Sequence, residues 1–299
     1  MNILVTGATG SVGYDLVNYL SKNHKIYALY RKKTKKTKIK KNVIWIKIKS
    51  LSNFKFPKKL EIQSLVHCAV DQRYLNIDKN KYFKSNINMT KNLLQLLKKQ
   101  KKGLFFNFST IEVYGTINKN ILKESYKPLK QNIYGMMKFK CEKLIEKSGL
   151  NYVNLRLPGV LNTFSKEIKN RPWINLISNK LINNEEFSIY NSRQKFNNII
   201  NTSEIAKLII KLSKMNKIIK SNFNLSASKP IKLKKLIKLM ILKTNSKSFV
   251  IEKKSNKKSF LISNKKIENF LNYKIKNTNK IILEHLKNLK ITKYDYKSS

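Results

Sequence analysis

The segment Thr6-Gly7-Ala8-Thr9-Gly10-Ser11-Val12-Gly13 is the strongest indication of the fold, because its three glycines directly follow the apolar run Ile3-Leu4-Val5. A strand that ends in a glycine turn and opens a helix presents backbone N–H groups and the positive helix end to a phosphate. Gly7 allows the turn, Gly10 lets a dinucleotide approach the backbone, and Gly13 lets the helix pack on the strand. We therefore predict a pyrophosphate site that consists of Gly7, Thr9, Gly10, Ser11, Val12 and Gly13.

Apolar runs alternate with helical patterns along the first half of the chain, which predicts an α/β fold with a doubly wound parallel sheet. After the helix that begins at Ser11, the predicted strands are 25–30, 43–48, 64–69, 104–109 and 152–156, and further helices are predicted at about 86–99 and 134–147. The ligand of such a sheet lies at the carboxyl ends of the strands. We expect a Rossmann-type dinucleotide-binding domain over residues 1–158, to which some later segments return.

The pattern loosens after Pro158 into shorter helical stretches, at 203–214 and 233–242. A lysine- and serine-rich segment, 243–258, is predicted to be an exposed loop around a short strand at 249–251. From Lys290 onward the composition indicates a solvated tail. We expect residues 159–299 to form mainly a smaller substrate-binding lobe.

The formal net charge of +48 raises the question of a nucleic-acid partner, since lysine-rich proteins bind phosphate backbones through counterion release. The lysines are spread along the chain together with abundant Asn and Ile instead of forming one basic tail. This distribution favours a general compositional bias over a specific nucleic-acid site. We expect loose, salt-sensitive attraction of polyanions, and electrostatic attraction of any anionic substrate.

Other compositional features narrow the class of protein. No apolar stretch reaches the length of a membrane span, and the sequence begins within its first predicted strand instead of a signal peptide. We therefore expect a cytoplasmic protein. Cys68 and Cys141 match no metal-binding or redox spacing, so we expect reduced cysteines and no metal site.

Tyr134 and Lys138 are the strongest candidates for acid/base chemistry. A Tyr and a Lys four residues apart lie on the same face of a helix, and the ammonium lowers the pKa of the phenol by favouring the phenolate. Thr110 ends the fifth predicted strand, where its hydroxyl can hold a substrate oxygen. In so lysine-rich a chain the pair alone is also expected by chance; the order of glycine loop, strand-end hydroxyl, Tyr and Lys favours a site.

Several motifs together resemble those of the extended short-chain dehydrogenase/reductases, the NAD-dependent epimerase/dehydratase group that acts on nucleotide sugars. Residues 6–13 are similar to the family's T-G-x-x-G-x-x-G, and residues 65–69 to its strand that ends in H-x-A. Further similar segments are 86–94 (N-V-N-x-T-x-N-L-L), 109–115 (S-[ST]-x-x-V-Y-G), and Pro128 with 134–138 (P-x-x-x-Y-G-x-x-K). Residues 196–206 and 223–225 partly keep the patterns of the substrate lobe.

The resemblance implies a role for each matching residue. Tyr134 is the implied acid/base, Lys138 lowers its pKa and binds the nicotinamide ribose, and Thr110 hydrogen-bonds the reacting oxygen. Cofactor contacts are also implied for Ala69 and Asn86. Asn86 orders the active-site helix or a water molecule, or else it is a plain helix cap.

The end of the second strand bears on the choice of cofactor. NAD-selective members of the family carry an acidic residue there, which binds the ribose hydroxyls. This chain has Tyr30 instead, followed by Arg31, whose planar fork suits a 2′-phosphate. We predict that NADP(H) is preferred and that NAD(H) is possible. The alternative is that Arg31 is only a surface cation of a basic loop.

Departures from the family patterns bear on the substrate. Family dehydratases carry an acidic pair in S-T-D-E-V-Y-G; here Ile111 replaces the first acid and only Glu112 remains, so dehydration is disfavoured. The Asn that touches the substrate diphosphate in R-x-x-N is replaced by Gly159. We expect substrate contacts from Glu112, Arg171, Arg193 and Lys195.

These observations predict a nicotinamide-dependent reductase or epimerase that acts on a sugar, and the resemblance favours a nucleotide-linked one. The missing acid at Tyr30 favours the reductase, whereas the family resemblance favours the epimerase. The alternative from another class is a non-catalytic NAD(P)-binding redox sensor or polyanion-binding protein on the same fold. Homodimers are common in the family, so a homodimer is a further expectation.

Overall fold

The computed structural model describes residues 1–55, 61–71, 78–100, 103–165, 172–256 and 259–294, with side chains described up to residue 289. The strands are β1 (Asn2–Thr6), β2 (Lys25–Tyr30), β3 (Val43–Lys47), β4 (Ser64–His67), β5 (Leu104–Thr110), β6 (Ile121–Leu122), β7 (Asn151–Leu157), β8 (Gly159–Leu161), β9 (Phe187–Tyr190), β10 (Lys195–Phe196), β11 (Ile199–Asn201), β12 (Lys220–Asn224), β13 (Ile231–Lys232), β14 (Val250–Lys253) and β15 (Leu261–Ile262). The helices are α1 (Ser11–Leu20), α2 (Lys79–Lys98), α3 (Ile133–Glu146), α4 (Trp173–Asn183), α5 (Thr202–Ser213), α6 (Leu233–Thr244), α7 (Lys265–Leu271) and α8 (Thr278–Tyr294).

The central sheet has seven strands in the order β12-β7-β5-β4-β1-β2-β3, and β1 to β5 and β7 pair in parallel. The chain runs outward from β1 to β3 and then returns to the other side of β1 at β4. The strand order therefore reverses between β1 and β4, which is where a doubly wound sheet opens a crevice for its ligand. The predicted α/β class and doubly wound sheet are confirmed.

Clustering of contacts divides the chain into two compact units. The first consists of residues 1–116, 124–157 and 205–223, and the second of 117–123, 158–204 and 224–299. The first unit holds the central sheet; the fully buried apolar residues of β1, β4 and β5 belong to its core. The second unit contains the short strand pairs β6–β15, β8–β11, β9–β14 and β10–β13.

Two predicted boundaries differ from the structure. The helix expected at 86–99 begins earlier, at Lys79, because the Asp78 carboxylate accepts a hydrogen bond from the Lys81 N–H at 2.8 Å and caps it. The residues directly after this cap are polar, so the apolar spacing in the sequence does not reveal where the helix begins. At the other end, α8 continues to Tyr294, so the backbone of the first residues of the predicted solvated tail is helical. Residues 295–299 lie outside the described residues.

One core residue of the second unit makes folding sensitive to acid. His285, in α8, is 4% exposed, and neither ring nitrogen has a hydrogen-bond partner among the described residues. Burial lowers its pKa to about 4. Because the unfolded state keeps a pKa of about 6.5, protonation favours unfolding, and stability falls as the pH drops from about 6.5 to about 4.

Replacement of this histidine tests the effect. We expect His285→Leu to become more stable relative to the natural protein as the pH falls, with the difference growing by about 3 kcal/mol between pH 7 and pH 4. Urea unfolding of both proteins at a series of pH values measures that difference. A stability difference that does not change with pH would show that His285 does not titrate on unfolding.

Among the described residues, none of the helices has both the length and the apolar character that crossing a membrane requires.

Candidate active site

The glycine turn between β1 and α1 is a close-packed cradle. Gly7 has a φ of 64°, and a Cβ atom there would lie 2.8 Å from the Ala69 nitrogen. A Cβ atom on Gly13 would lie 2.2 Å from the Gly7 oxygen, so α1 packs against the turn only without a side chain at this position. The Gly10 N–H donates to the Gly7 oxygen at 2.9 Å and closes the turn.

The same turn is open at the start of the helix. α1 begins at Ser11 with Gly10 as its N-cap, and no side chain caps it. The first N–H groups of a helix then need an outside acceptor, and the helix dipole favours an anion. This cradle at the end of β1 fits the pyrophosphate of a dinucleotide.

The ends of β1 and β4 are joined at the crevice. The Thr6 hydroxyl lies 2.8 Å from His67 Nδ1, and the Ala69 N–H donates to the same hydroxyl oxygen at 3.2 Å. Burial, with a smaller contribution from the charge of Lys138, lowers the pKa of His67 to about 3. The Thr6 hydroxyl thus links the ring of His67 to the backbone of Ala69, which the sequence predicts to contact the cofactor.

Arg31 lies immediately after β2, where the sequence analysis predicts a cofactor contact. The preceding Tyr30 packs edge-on against Trp45, with ring centroids 6.1 Å apart. Arg31 is exposed and forms no ion pair with the residues described. The residue that directly follows β2 thus carries a guanidinium and not a carboxylate.

Tyr134 and Lys138 lie one turn apart at the start of α3, which packs on β5. Lys138 is buried, and its ammonium donates to the Phe108 carbonyl of β5 at 2.7 Å. Thr110, two residues further along β5, accepts a hydrogen bond from the Glu112 N–H at 3.2 Å, which leaves its hydroxyl hydrogen to point elsewhere. The bond to β5 therefore brings the predicted Lys close to the strand end that carries the predicted Thr.

The environment of Lys138 disfavours its charge. Burial lowers the pKa of Lys138, and the charge of the nearby Glu142 carboxylate opposes that shift. A buried ammonium is stabilised by a nearby negative charge. Lys138 therefore favours the phenolate form of a tyrosine on the same helix face.

The start of α3 is held by Asn132 and Glu112. Asn132 Oδ1 accepts from the Gly135 N–H at 2.7 Å as the N-cap, and its Nδ2 donates to Glu112 Oε2 at 2.7 Å. A Cβ atom on Gly135 would lie 2.1 Å from the Glu112 carbonyl oxygen, so glycine is needed for this approach. The predicted substrate residue Glu112 therefore takes part in fixing the helix that carries Tyr134.

Asn86 lies inside α2, and the alternative that it is a helix cap is wrong because Asp78 caps this helix. Its Oδ1 accepts from the Asp71 N–H at 2.9 Å, and its Nδ2 donates to the Tyr82 carbonyl at 2.9 Å. Asn86 thus orders the segment that follows β4, beside the cofactor cradle.

A buried ion pair below the site was missed by the sequence analysis. Arg156 Nη2 lies 2.6 Å from Glu142 Oε2, and these side chains are 5% and 0% exposed. The Ser109 hydroxyl donates to Glu142 at 2.5 Å, and Arg156 Nη1 donates to the Tyr114 hydroxyl at 2.8 Å. Glu142 lies four residues after Lys138 on the same helix. This spacing could have indicated that its carboxylate lies on the same buried face as Lys138.

The second unit contains an open cavity of about 510 Å³. Trp173, Tyr190 and Phe196 line it, with the rings of Trp173 and Phe196 in an edge contact at 5.0 Å. Lys195 and Gln194 add a cation and an amide to the same wall. Aromatic faces beside a cation suit a ligand that combines a base with phosphate.

The other predicted substrate residues are placed differently. Arg193 is exposed and is not among the residues that line this cavity; its charge instead helps to lower the pKa of Glu252, after the hydrogen bonds that Glu252 accepts from Lys234 and Ser192. Arg171 lies outside the described residues. Of the two cations that the structure describes, Lys195 lines the cavity and Arg193 does not.

Solved structures with the same fold come from several organisms. The WbmG enzyme of Bordetella bronchiseptica, solved with NAD and UDP, has a TM-score of 0.80 at 17% identity, covering 97% of this chain and 95% of that one. The UDP-N-acetylglucosamine 4-epimerase of Methanobrevibacter ruminantium M1 has a TM-score of 0.78 at 21% identity, covering 97% and 98%. The UDP-glucuronic acid 4-epimerase of Bacillus cereus, solved with NAD, has a TM-score of 0.76 at 22% identity, covering 97% and 99%. At these identities the likeness shows the fold.

A comparison with the curated proteins finds no match. The sequence model of the NAD dependent epimerase/dehydratase family matches residues 3–225. This range contains the glycine cradle, the end of β5 and the Tyr134–Lys138 pair, and it extends into the second unit. The chain therefore belongs to the NAD dependent epimerase/dehydratase family.

Proposed function

We propose that this protein is a nicotinamide-dependent oxidoreductase or epimerase whose substrate is a nucleotide-linked sugar. The observation that supports the proposal is the hydrogen bond of buried Lys138 to the Phe108 carbonyl, two residues before Thr110 on β5. The glycine cradle at the end of β1 supplies a dinucleotide site in the same unit. Acid/base groups at the carboxyl ends of a doubly wound sheet are placed to serve a bound dinucleotide.

In this proposal each residue of the site has a defined role. The Tyr134 phenol gives a proton to the reacting sugar oxygen or removes one from it. Lys138 favours the phenolate and donates to the nicotinamide ribose, and the Thr110 hydroxyl holds the same sugar oxygen. Correct placement of a proton donor of this kind is worth about 10²- to 10⁴-fold in rate. The bound nicotinamide supplies the hydride chemistry.

The cavity of the second unit is the proposed site for the nucleotide part of the substrate. Its aromatic residues suit a base, and Lys195 suits a phosphate. Three of the structures with this fold were solved with UDP or a UDP-linked sugar. They are WbmG with UDP, a Thermotoga maritima UDP-glucose 4-epimerase with UDP-glucose, and the Methanobrevibacter ruminantium epimerase with UDP-N-acetylmuramic acid. Arg193 and Arg171 remain proposed contacts for the diphosphate.

The test is to denature the freshly purified protein, to identify any released nicotinamide nucleotide by mass, and to assay the protein with a panel of UDP-, dTDP- and GDP-linked sugars. Chromatography of the sugars and absorbance of the reduced nicotinamide are followed in parallel. Tightly bound NAD and an isomerised sugar without net oxidation identify an epimerase. An empty protein that consumes NADPH while reducing a keto sugar identifies a reductase.

If no member of the panel is turned over although the cofactor binds, the enzymatic proposal fails. The same protein should then be examined as a redox sensor or polyanion-binding protein. Salt titration of polyanion binding separates these two, because loose lysine-mediated attraction weakens steeply with ionic strength.

We further propose that NADP(H) is preferred over NAD(H). An exposed guanidinium stands where an acid would accept the ribose hydroxyls, and it would attract the added charge of a 2′-phosphate. This feature favours the reductase, because a reductase exchanges its cofactor at each turnover.

Reversal of the charge at Arg31 tests the preference. We expect Arg31→Asp to weaken NADPH binding by about 10- to 100-fold, the range for a lost charge-assisted hydrogen bond, and to leave NADH binding within about threefold. Calorimetric titration with each cofactor gives both values. Lys33→Asp is the control with the same charge change on the same exposed loop. Equal losses for the two cofactors would contradict the role of Arg31.

A cytoplasmic location, a homodimer and the lack of a specific nucleic-acid partner stay predictions from the sequence.

A further inference from the structure

Two segments of the first unit are joined to each other, and each carries one hydroxyl group of the proposed site. The first segment, residues 110–116, begins at Thr110 and contains the short 3₁₀ turn that follows β5. The second, residues 129–135, leads into α3 and contains Tyr134. In the proposed function both hydroxyls serve one sugar oxygen, so the contacts that fix these two segments against each other bear on the reaction.

Main-chain hydrogen bonds join the two segments at the end away from Tyr134. The Leu129 N–H donates to the Tyr114 carbonyl at 2.9 Å, and the Thr116 N–H donates to the Leu129 carbonyl at 2.7 Å. Gly115, which lies between these two bonds, has a φ of 67°, and a Cβ atom there would lie 2.1 Å from the Leu129 oxygen. This end is therefore held by backbone contacts that a side-chain substitution elsewhere does not remove.

The side chain of Asn132 joins the end nearer to Tyr134. Its Oδ1 accepts from the Gly135 N–H and caps α3, while its Nδ2 donates to Glu112 Oε2, both at 2.7 Å. The Glu112 N–H in turn donates to Thr110 Oγ1 at 3.2 Å. Three hydrogen bonds in succession thus lead from Thr110 to the first turn of α3, where Tyr134 lies. We call the bond between Asn132 and Glu112 the bridge.

The carboxamide of Asn132 suits both parts of this arrangement, because it has an acceptor oxygen and a donor nitrogen. An aspartate would cap the helix about equally well, but it has no donor for the Glu112 carboxylate. The substitution Asn132→Asp therefore keeps the helix cap and removes the bridge. A role in positioning can in this way be separated from a role in helix stability.

We propose that Asn132 and Glu112 are positioning residues, which hold the start of α3 with Tyr134 in place relative to Thr110. This inference rests on the proposed function, and it gives Glu112 a positioning role where the sequence analysis expects a substrate contact. The main chain of Glu112 supports the same role. Its carbonyl oxygen lies only 2.1 Å from the place that a Cβ atom on Gly135 would take, so Glu112 contacts the first turn of α3 directly.

The test exchanges the polarity of the bridge and measures kcat and KM for the nucleotide sugar that the natural protein converts. Asn132→Asp sets two carboxylates against each other, and we expect kcat to fall by about 10- to 100-fold with KM changed by less than about threefold. Glu112→Gln keeps an acceptor for Asn132 and should lower kcat by less than about fivefold. In Asn132→Asp/Glu112→Gln the amide and the carboxylate have changed places, so the bridge re-forms and kcat should return to within about fivefold of the natural value.

Asn183→Asp is the matched control. Asn183 ends α4 in the second unit, is exposed, and is not among the residues that line the cavity. Its Nδ2 donates to Glu185 Oε1 at 3.2 Å, so the substitution sets two carboxylates against each other in the same way. We expect kcat to stay within about twofold, because exposed charges are screened by water. Thermal unfolding of every variant identifies any loss that comes from misfolding.

Three results would overturn the inference while the proposed function stands, because the natural protein still converts its sugar. The first is an Asn132→Asp protein with the natural kcat, which would show that the bridge does not position Tyr134. The second is a double variant as slow as Asn132→Asp. The third is a Glu112→Gln protein without turnover, which would show that the carboxylate acts on the substrate. A natural protein that converts no nucleotide sugar contradicts the proposed function itself, and this inference with it.

Discussion

Tyr134→Phe is expected to lower kcat by about 10²- to 10⁴-fold, the usual contribution of a positioned proton donor. The change removes one hydroxyl from a side chain that packs, half-buried, against the small core cluster of α2 and α3, so the helix start should stay folded. The measurement is steady-state turnover of whichever nucleotide sugar the natural protein converts, together with a calorimetric titration of the cofactor. Cofactor binding should stay within about twofold, because the ring and Lys138 remain.

Tyr152→Phe is the matched control. It removes a phenol hydroxyl from the amino end of β7, at the end of the sheet opposite to the proposed site, and should leave turnover unchanged. A Tyr134→Phe protein that keeps more than a tenth of the natural turnover would show that this phenol is not the acid/base. Loss of both turnover and cofactor binding would instead indicate that Tyr134 acts in binding.

Arg156→Met should cost about 3–5 kcal/mol of folding free energy, the range for breaking a buried ion pair from one side. The substitution leaves the Glu142 carboxylate fully buried without its guanidinium, while the Tyr114 hydroxyl loses its donor. Burial by itself lowers the pKa of Arg156, yet the hydrogen bond and the charge of Glu142 raise it overall. The guanidinium is thus charged at any relevant pH, and urea unfolding at pH 7 measures the loss.

The double variant Arg156→Met/Glu142→Met is the decisive comparison. Removal of both charges leaves an apolar pair of similar size, so we expect it to recover at least half of the stability that the single variant loses. If the double variant instead loses the sum of the two single losses, Arg156 and Glu142 contribute independently and the pair is not coupled. Lys143→Met tests an exposed ion pair on the same helix and should cost less than about 1 kcal/mol.

The ion pair also bears on the site. Ser109, which donates to Glu142, is the residue before Thr110, and Tyr114 ends the short turn that begins at Ile111. A loosened ion pair should therefore disturb Thr110 as well as stability. We expect the single variant to lose turnover beyond the fraction of protein that is unfolded.

The sequence allowed the order of strands and helices in the first unit to be predicted, because each depends on short-range patterns. β2 was predicted at its observed bounds, and β5 and β7 to within one residue at each end. The start of α2 was not, since its cap at Asp78 precedes residues without a clear apolar period. α8 also runs four residues past Lys290, into the segment whose composition predicts a tail.

By itself, the sequence determined the family, the doubly wound sheet, the glycine cradle and the spacing of Tyr134 and Lys138. Each is a local pattern, in which backbone sterics and a helical period of about 3.6 residues act over a few positions. The tertiary structure decided which distant polar groups meet. Lys36 reaches Thr9 across 27 residues, and Asn86 reaches Asp71 across 15. Such contacts depend on how strands and loops fold back on one another. Periodicity in the sequence therefore cannot identify which of the many lysines contacts the glycine turn.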